Sequence, residues 1–351
     1  MKKILFMALA AAAAVSCADK NAYTIKGDVE GLDGYVYMTD MRDLRNVIDS
    51  AEVRNGRFEF RGVADMPNLA IVRSELTGDR SQMFMTTVFI EPGKITVSRQ
   101  DGEPLVAGTP SNDGYSAFGR QRAELFERYN AASTDEERAA IEAEYESVSL
   151  AALDANGDNL FGATLLQNML YELRGSEIVA RVEAFPEYVR RNPMLVELLE
   201  AGQAKMKSEP GCSYMDVVQP DMNGNEVSLS SVVGNPANKY VLVDFWASWC
   251  GPCMGEVPYL VEAYGKYHDK GFEIYGISHD TDGERWRRCV ADNGMNWIHV
   301  SELKRFDNQA ARDYAVQAIP SNFLIDTSTG EIVATNLRGE QLESKIAELL
   351  D

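Results

Sequence analysis

Three textures of apolar and polar positions succeed one another along the chain. From residue 22 to about 108 the residues alternate in short runs, as half-buried strands do. Tyr23-Thr24-Ile25-Lys26-Gly27, Gly34-Tyr35-Val36-Tyr37-Met38 and Arg57-Phe58-Glu59-Phe60 are the clearest cases. Asn55-Gly56 stands just before the last of them. That pair readily takes the left-handed conformations of a two-residue turn, so a hairpin is predicted there. Further strands are predicted from Ala70 to Ser74, Thr87 to Ile90 and Lys94 to Ser98, with turns at Glu91-Pro92-Gly93 and Asp101-Gly102. Short strands with frequent turns add up to a small antiparallel β-sandwich.

From Asn112 to about Ser208 the spacing becomes helical. Glu124-Leu125-Phe126 and the stretch from Glu136 to Tyr145 mix apolar and charged residues at that period. Asn156-Gly157-Asp158 breaks the run, Phe161 to Leu173 is more apolar, and Pro186 and Pro193 punctuate the last helices. No motif occurs in this stretch, which reads as a helical spacer packing on its neighbours. From Gly211 strands and helices take turns. Strands are predicted at Tyr240–Ala247, Phe272–Ser278, Asn322–Asp326 and Glu331–Thr335, and helices at Gly251–His268, Gly283–Asn293, Asn308–Tyr314 and Gly339–Leu350. Val241, Leu242, Val243 and Phe245 form the nearly unbroken apolar run of a buried central strand. The predicted organisation is a leader over 1–16, a β-rich domain over 17–110, a helical segment over 111–210 and an α/β domain over 211–351.

The N-terminus and the charge narrow the setting. Lys2 and Lys3 precede an apolar run from Ile4 to Val15, which is too short to span a bilayer and reads as a secretory signal. Ala14-Val15-Ser16-Cys17 resembles a bacterial lipobox, which would make Cys17 the lipidated first residue. Asp19 is not directly after Cys17, so the inner-membrane retention signal is absent. An outer-membrane anchor facing the periplasm is expected. The formal charge of −20 repels phosphate backbones, so nucleic acid is not expected as a partner.

Five cysteines are present, and Cys250-Gly251-Pro252-Cys253 carries the chemistry. A buried strand runs into this motif and a helix leaves it. A helix N-terminus offers free N–H groups and a positive dipole end, which favour thiolate over thiol at Cys250. Pro252 fits the first turn, where no hydrogen bond is lost. Cys250 is read as the attacking nucleophile and Cys253, one turn deeper, as the resolving thiol. Zinc is not expected. A structural site needs about four ligands, whereas this chain has no second Cys-x-x-Cys and only His268, His279 and His299. A copper chaperone would space its cysteines by three residues, with His299 as a further ligand, and the peroxidatic Pro-x-x-x-Thr-x-x-Cys pattern is missing. Cys212 and Cys289 are read as free, buried, apolar residues rather than as a disulfide. His279 ends a strand near the site and is read as incidental.

Residues from about 212 to 351 resemble the thioredoxin superfamily, in particular its TlpA/ResA-like envelope branch. The likeness rests on Trp246-Ala247-Ser248-Trp249 before the Cys pair, Glu256-Val257-Pro258, Gly271-Phe272-Glu273-Ile274 and Ala318-Ile319-Pro320-Ser321-Asn322-Phe323-Leu324-Ile325-Asp326. The resemblance implies a cis bond before Pro320, facing the cysteines, and a backbone at Ile319 that pairs with the substrate strand. It implies that Trp249 lines the rim of the site, with Gly251 and Pro252 in the substrate contact, while Trp246 is core. Asp244 stands where thioredoxins keep a buried Asp and Glu256 where the ResA-like proteins keep a Glu. Either could move a proton to or from Cys253. The N-terminal part resembles the β-domain of unknown function found upstream of such lipoproteins, through Asp49-Ser50-Ala51 and Asn55 to Phe60.

The reading is a thiol-disulfide oxidoreductase that reduces protein disulfides in the cell envelope. It needs no cofactor beyond its own disulfide and takes electrons from a membrane-embedded donor. The alternatives are a disulfide oxidase or isomerase, and a ligand- or partner-binding lipoprotein whose thioredoxin-like domain is secondary.

Overall fold

The structure is a computed structural model, and it describes residues 20–41, 43–75, 83–100 and 102–351. The leader and the proposed lipid site Cys17 lie outside the described residues. The chain divides into two compact units. One reaches to Asn168 and includes Arg181–Val196, and the other comprises Met169–Ala180 and Glu197–Asp351.

The first unit contains two four-stranded sheets. One has the order β4 (Arg57–Val63), β1 (Ala22–Asp28), β7 (Gly93–Gln100), β8 (Glu103–Ala107); β1 and β7 are parallel, so this sheet is mixed rather than antiparallel as expected, because β1 and β7 are far apart in sequence and no tight turn joins them. The other has the order β3 (Val47–Glu52), β2 (Tyr35–Asp40), β5 (Asn68–Arg73), β6 (Met85–Ile90) and is antiparallel throughout. Alternation sends Ile25, Phe58, Phe60, Val36, Met38, Val72 and Val88 into one shared core. Asn55 and Gly56 take φ of 53° and 76°, and Arg54 and Arg57 exchange backbone hydrogen bonds of 2.9 and 3.1 Å across them. The turn therefore forms, but it carries the chain from β3 in one sheet to β4 in the other. Strands β3 and β8 go beyond the elements that the sequence pattern predicts. Val47-Ile48-Asp49-Ser50-Ala51-Glu52 is an exposed edge strand without alternation, and β8 carries Pro104 on an edge, where Pro is tolerated.

Three helices follow the sheets in this unit: α1 (Pro110–Ala131), α2 (Asp135–Ala155) and α3 (Leu160–Asn168). Pro110 opens α1, and Thr134 with Glu137 forms a capping box at α2. Buried Asn112 pins α1 to β6 by accepting from Phe89 N at 3.0 Å and donating to Phe89 O at 2.8 Å. Helices α4 (Gly175–Ala184), α5 (Glu187–Arg190) and α6 (Pro193–Lys205) come next, and α4 and α6 each contribute residues to both units.

The second unit is built on a five-stranded sheet with the order β13 (Ile298–Val300), β12 (Phe272–Ser278), β11 (Tyr240–Trp246), β14 (Ser321–Asp326), β15 (Glu331–Thr335). β11 is parallel to β12 and antiparallel to β14. One face, with Leu242 and Trp246, packs on α8 (Gly251–Tyr267), α9 (Gly283–Asp292) and α11 (Gly339–Leu350). The other, with Val241, Val243 and Phe245, packs on α7 (Leu229–Val233) and α10 (Gln309–Asp313). Helices on both faces explain why β11 lacks alternation. The hairpin of β9 (Val218–Pro220) and β10 (Glu226–Ser228), together with α7 and β13, leaves no periodic trace in the sequence, because each element is only three to five residues long.

Candidate active site

The strand period decides what faces what. Residues 242, 244 and 246 of β11 share a face, so Asp244 points to the side covered by α8 and α11, between Leu242 and Trp246. The chain then leaves the sheet and Cys250 caps α8. Its Sγ accepts from Cys253 N at 3.1 Å, which supplies an orphan helix N–H to the sulfur. Cys250 and Cys253 are joined as a disulfide with an S–S distance of 2.08 Å. Both residues are largely covered, Cys250 at 6% exposure and Cys253 at 2%.

The Ile319–Pro320 bond is cis, and the Ile319 carbonyl oxygen lies 3.7 Å from Cys250 Sγ. Gly251 and Pro252 are exposed beside it. Trp249 is 36% exposed, with the Arg305 guanidinium 4.9 Å from its ring centroid, whereas Trp246 is buried. The loop before Cys250 is anchored from β12. The buried Asp280 carboxylate accepts from Ser248 N at 3.0 Å, from Ser248 Oγ at 2.6 Å and from Ser278 Oγ at 2.8 Å.

Behind the disulfide is a cavity of about 10 Å³, close to the smallest that holds one water molecule. Asp244, Cys253, Glu256, Pro320 and Arg338 line it. Burial pushes the Asp244 carboxyl up to about 7, with the Arg338 charge opposing and the Glu256 charge adding. A buried carboxyl at that point exchanges its proton near neutrality and stands in the same cavity as the Cys253 sulfur. Glu256 is half-buried rather than on a solvated face, and its Oε2 accepts from Gly339 N at 2.8 Å, in the first turn of α11.

Sequence reading missed Asp280, Ser248, Arg305 and Arg338. The signals were faint: an Asp just past the end of a strand, a Ser inside the Trp-Ala-Ser-Trp run, and an Arg at a helix cap position where Ser, Thr, Asp or Asn is usual. Cys212 and Cys289 carry free thiols, but both are half-buried rather than buried. Cys289 Sγ lies 3.7 Å from Met254 Sδ. His299 is buried in the core beside Trp246 and Trp297, and burial takes its imidazole down to about 4. His279 Nδ1 pairs with the Arg305 carbonyl oxygen at 2.8 Å, so this residue supports the loop that carries Arg305.

Comparison with known proteins places this arrangement. The profile of the AhpC/TSA family matches residues 210–334, and that of a domain of unknown function (DUF4369) matches residues 23–115. The tryparedoxin of Trypanosoma brucei brucei is 35% identical over 120 residues, which are 34% of this chain and 79% of that protein. The chain belongs to the AhpC/TSA family and is a thioredoxin-like thiol-disulfide oxidoreductase. The thiol-disulfide oxidoreductase ResA of Bacillus thuringiensis subsp. konkukian is 29% identical over 144 residues, 41% of this oxidoreductase and 78% of ResA. The crystal structure of the thioredoxin domain of a thiol-disulfide oxidoreductase from Bacteroides vulgatus is 34% identical, covers 41% of this chain and 99% of that one, and has a TM-score of 0.38. Protein thiols and disulfides are the substrate class of this oxidoreductase family.

Proposed function

We propose that this protein is an envelope reductase of protein disulfides, in which Cys250 attacks and Cys253 resolves. The observation that carries the reading is Cys250 at the cap of α8, with Cys253 N–H directed at its sulfur and the Ile319–Pro320 backbone beside it. Cys250 thiolate attacks a substrate disulfide and forms a mixed disulfide, while the Ile319 backbone pairs with the substrate strand. Cys253 then attacks Cys250, and the substrate leaves reduced. Asp244, with Glu256 nearby, takes the Cys253 proton. The electrons reside in the cysteine pair itself, so no other cofactor enters.

The direction is argued from the motif. Gly251 and Pro252 have no side-chain donor or charge with which to hold the Cys250 thiolate, and a very stable thiolate is what makes a strong oxidant. The potential should therefore fall nearer thioredoxin, at about −270 mV, than DsbA, at about −120 mV. Lipidation at Cys17 would tether the protein to the outer membrane facing the periplasm, and a membrane-embedded donor would return electrons to the pair. Among the described residues no helix is long and apolar enough to cross a membrane. A redox titration against glutathione, with insulin reduction as second readout, tests the direction. A potential near that of DsbA without insulin reduction would overturn it.

A further inference from the structure

Arg338 takes no part in the exchange steps at the cysteine pair and lies beyond residue 334, where the match to the family profile ends. Its placement is nonetheless heavily constrained. Asn322, the β14 neighbour of Asp244 in the sheet, accepts from Leu337 N at 2.9 Å and donates to Leu337 O at 2.9 Å. The residue just before Arg338 is thereby fixed. The guanidinium itself donates through Nη2 to the Pro320 carbonyl and through Nη1 to the Leu337 carbonyl at 2.9 Å. These partners are neutral, so its charge is left to act on the cavity.

We propose that Arg338 is a positioning residue of disulfide exchange: held by Pro320, its charge keeps the Asp244 carboxylate ionised and ready to take the proton of Cys253. The titratable groups that share the cavity with Asp244 are Cys253 and Glu256 from α8 and Arg338 from the turn between β15 and α11. Glu256 is engaged at α11, so Arg338 is the cation that offsets two carboxylates beside the resolving sulfur. Burial raises Asp244, Arg338 opposes that rise, and Glu256 adds to it. The site works near neutrality because these influences partly cancel.

Atoms and electrons balance in the resolving step. Cys253 thiol gives its proton to the Asp244 carboxylate, and the thiolate attacks Cys250 Sγ in the mixed disulfide. The bond from Cys250 to the substrate sulfur breaks, the Cys250–Cys253 bond forms, and the substrate sulfur leaves with the electron pair. The inference rests on the reading that Cys253 resolves and Asp244 accepts its proton.

The test uses the full chain with C17S, C212S and C289S, reduced and mixed with dithiobis(nitrobenzoic acid). The first nitrothiobenzoate released reports attack by Cys250, and the second reports attack by Cys253 on the mixed disulfide. The second phase should show an acid limb near neutrality, and in D244N that limb should give way to one at higher pH that follows the ionisation of the Cys253 thiol alone. In R338Q the limb should move up by about one pH unit, making the phase about tenfold slower below it. In E256Q the limb should move down. E256Q/R338Q leaves no lone cavity charge besides Asp244, and its limb should lie above wild type and below R338Q; this arm decides the matter if R338Q does not fold. R338K should lie nearest wild type. An R338Q limb at the wild-type position, a shift of R338Q and E256Q in the same direction, or a D244N limb at the wild-type position would overturn the proposal. Release of only one equivalent by the wild type would instead overturn the reading beneath it.

Discussion

At the scale of residues, the site is a set of charges and sulfurs held at different depths. Cys250 caps α8, receives the Cys253 N–H and is the less covered residue of the pair, so after reduction it should alkylate faster than Cys253, Cys212 or Cys289 at mildly acidic pH. Burial and nearby Asp280 push the Cys289 thiol up, which slows it further. Competitive labelling read by mass spectrometry checks this, and equal rates for Cys250 and Cys253 would reverse the assignment of roles. Asp244 makes a second prediction. Its carboxyl titrates at about 7 in the fold, against about 4 in an unfolded chain. The folded state therefore binds the proton more tightly. The contribution is complete below about pH 4 and is lost as pH rises through about 7. Between about pH 4.5 and 8 the oxidised wild type should lose on the order of 3 kcal/mol that D244N retains, read by urea unfolding at both pH values. A pH-independent difference between the two proteins would contradict it. The cysteine pair, the cis-proline and both carboxylates were legible because each sits inside a short local motif. Arg338 was not, because only the β11–β14 pairing and the Asn322–Leu337 hydrogen bonds bring it across 94 residues of chain to Asp244.

At the scale of elements, the architecture depends on a few junctions. Asp280 ties the end of β12 to the loop between β11 and α8, so Cys250, the proposed nucleophile, is placed by a strand that does not contain it. Truncating Asp280 to Ala would strand the Ser248 N–H and hydroxyl, at a cost of about 2–4 kcal/mol. It should also slow disulfide exchange, whereas Asp280→Asn keeps part of the anchoring and should fall between. Equal exchange rates for wild type and D280A would show that the loop holds its shape without the anchor. Gly56 is the corresponding junction in the first unit. Its φ is 76°, and a Cβ there would meet the Val29 carbonyl oxygen at 2.6 Å. Gly56→Ala should destabilise that unit by about 1–2 kcal/mol or more without altering exchange, as followed by far-ultraviolet circular dichroism beside an activity assay. Strand periods and turn residues made this level largely readable. The exceptions were edge strands such as β3, whose pairing is set by the neighbour β2 rather than by any alternation of its own.

At the scale of the whole molecule, the residues of the proposed site all belong to the second unit. The proposed tether lies at the opposite end of the sequence, so anchoring and chemistry should separate cleanly. Cys17→Ser should move the protein from the membrane to the soluble fraction with its exchange rate unchanged; retention in the membrane would rule out the lipid site. The same division has an optical consequence. All four tryptophans, Trp246, Trp249, Trp286 and Trp297, belong to the second unit. Trp249 directly precedes Cys250 in the chain, and a disulfide accepts electrons from an excited indole, so emission should brighten when the pair is reduced and brighten less in W249F. Light taken up at the red edge of indole absorption, where tyrosine does not absorb, is thus re-emitted by one unit alone, at an intensity that follows the state of two sulfur atoms. The fraction of molecules carrying electrons can then be followed continuously, without a label.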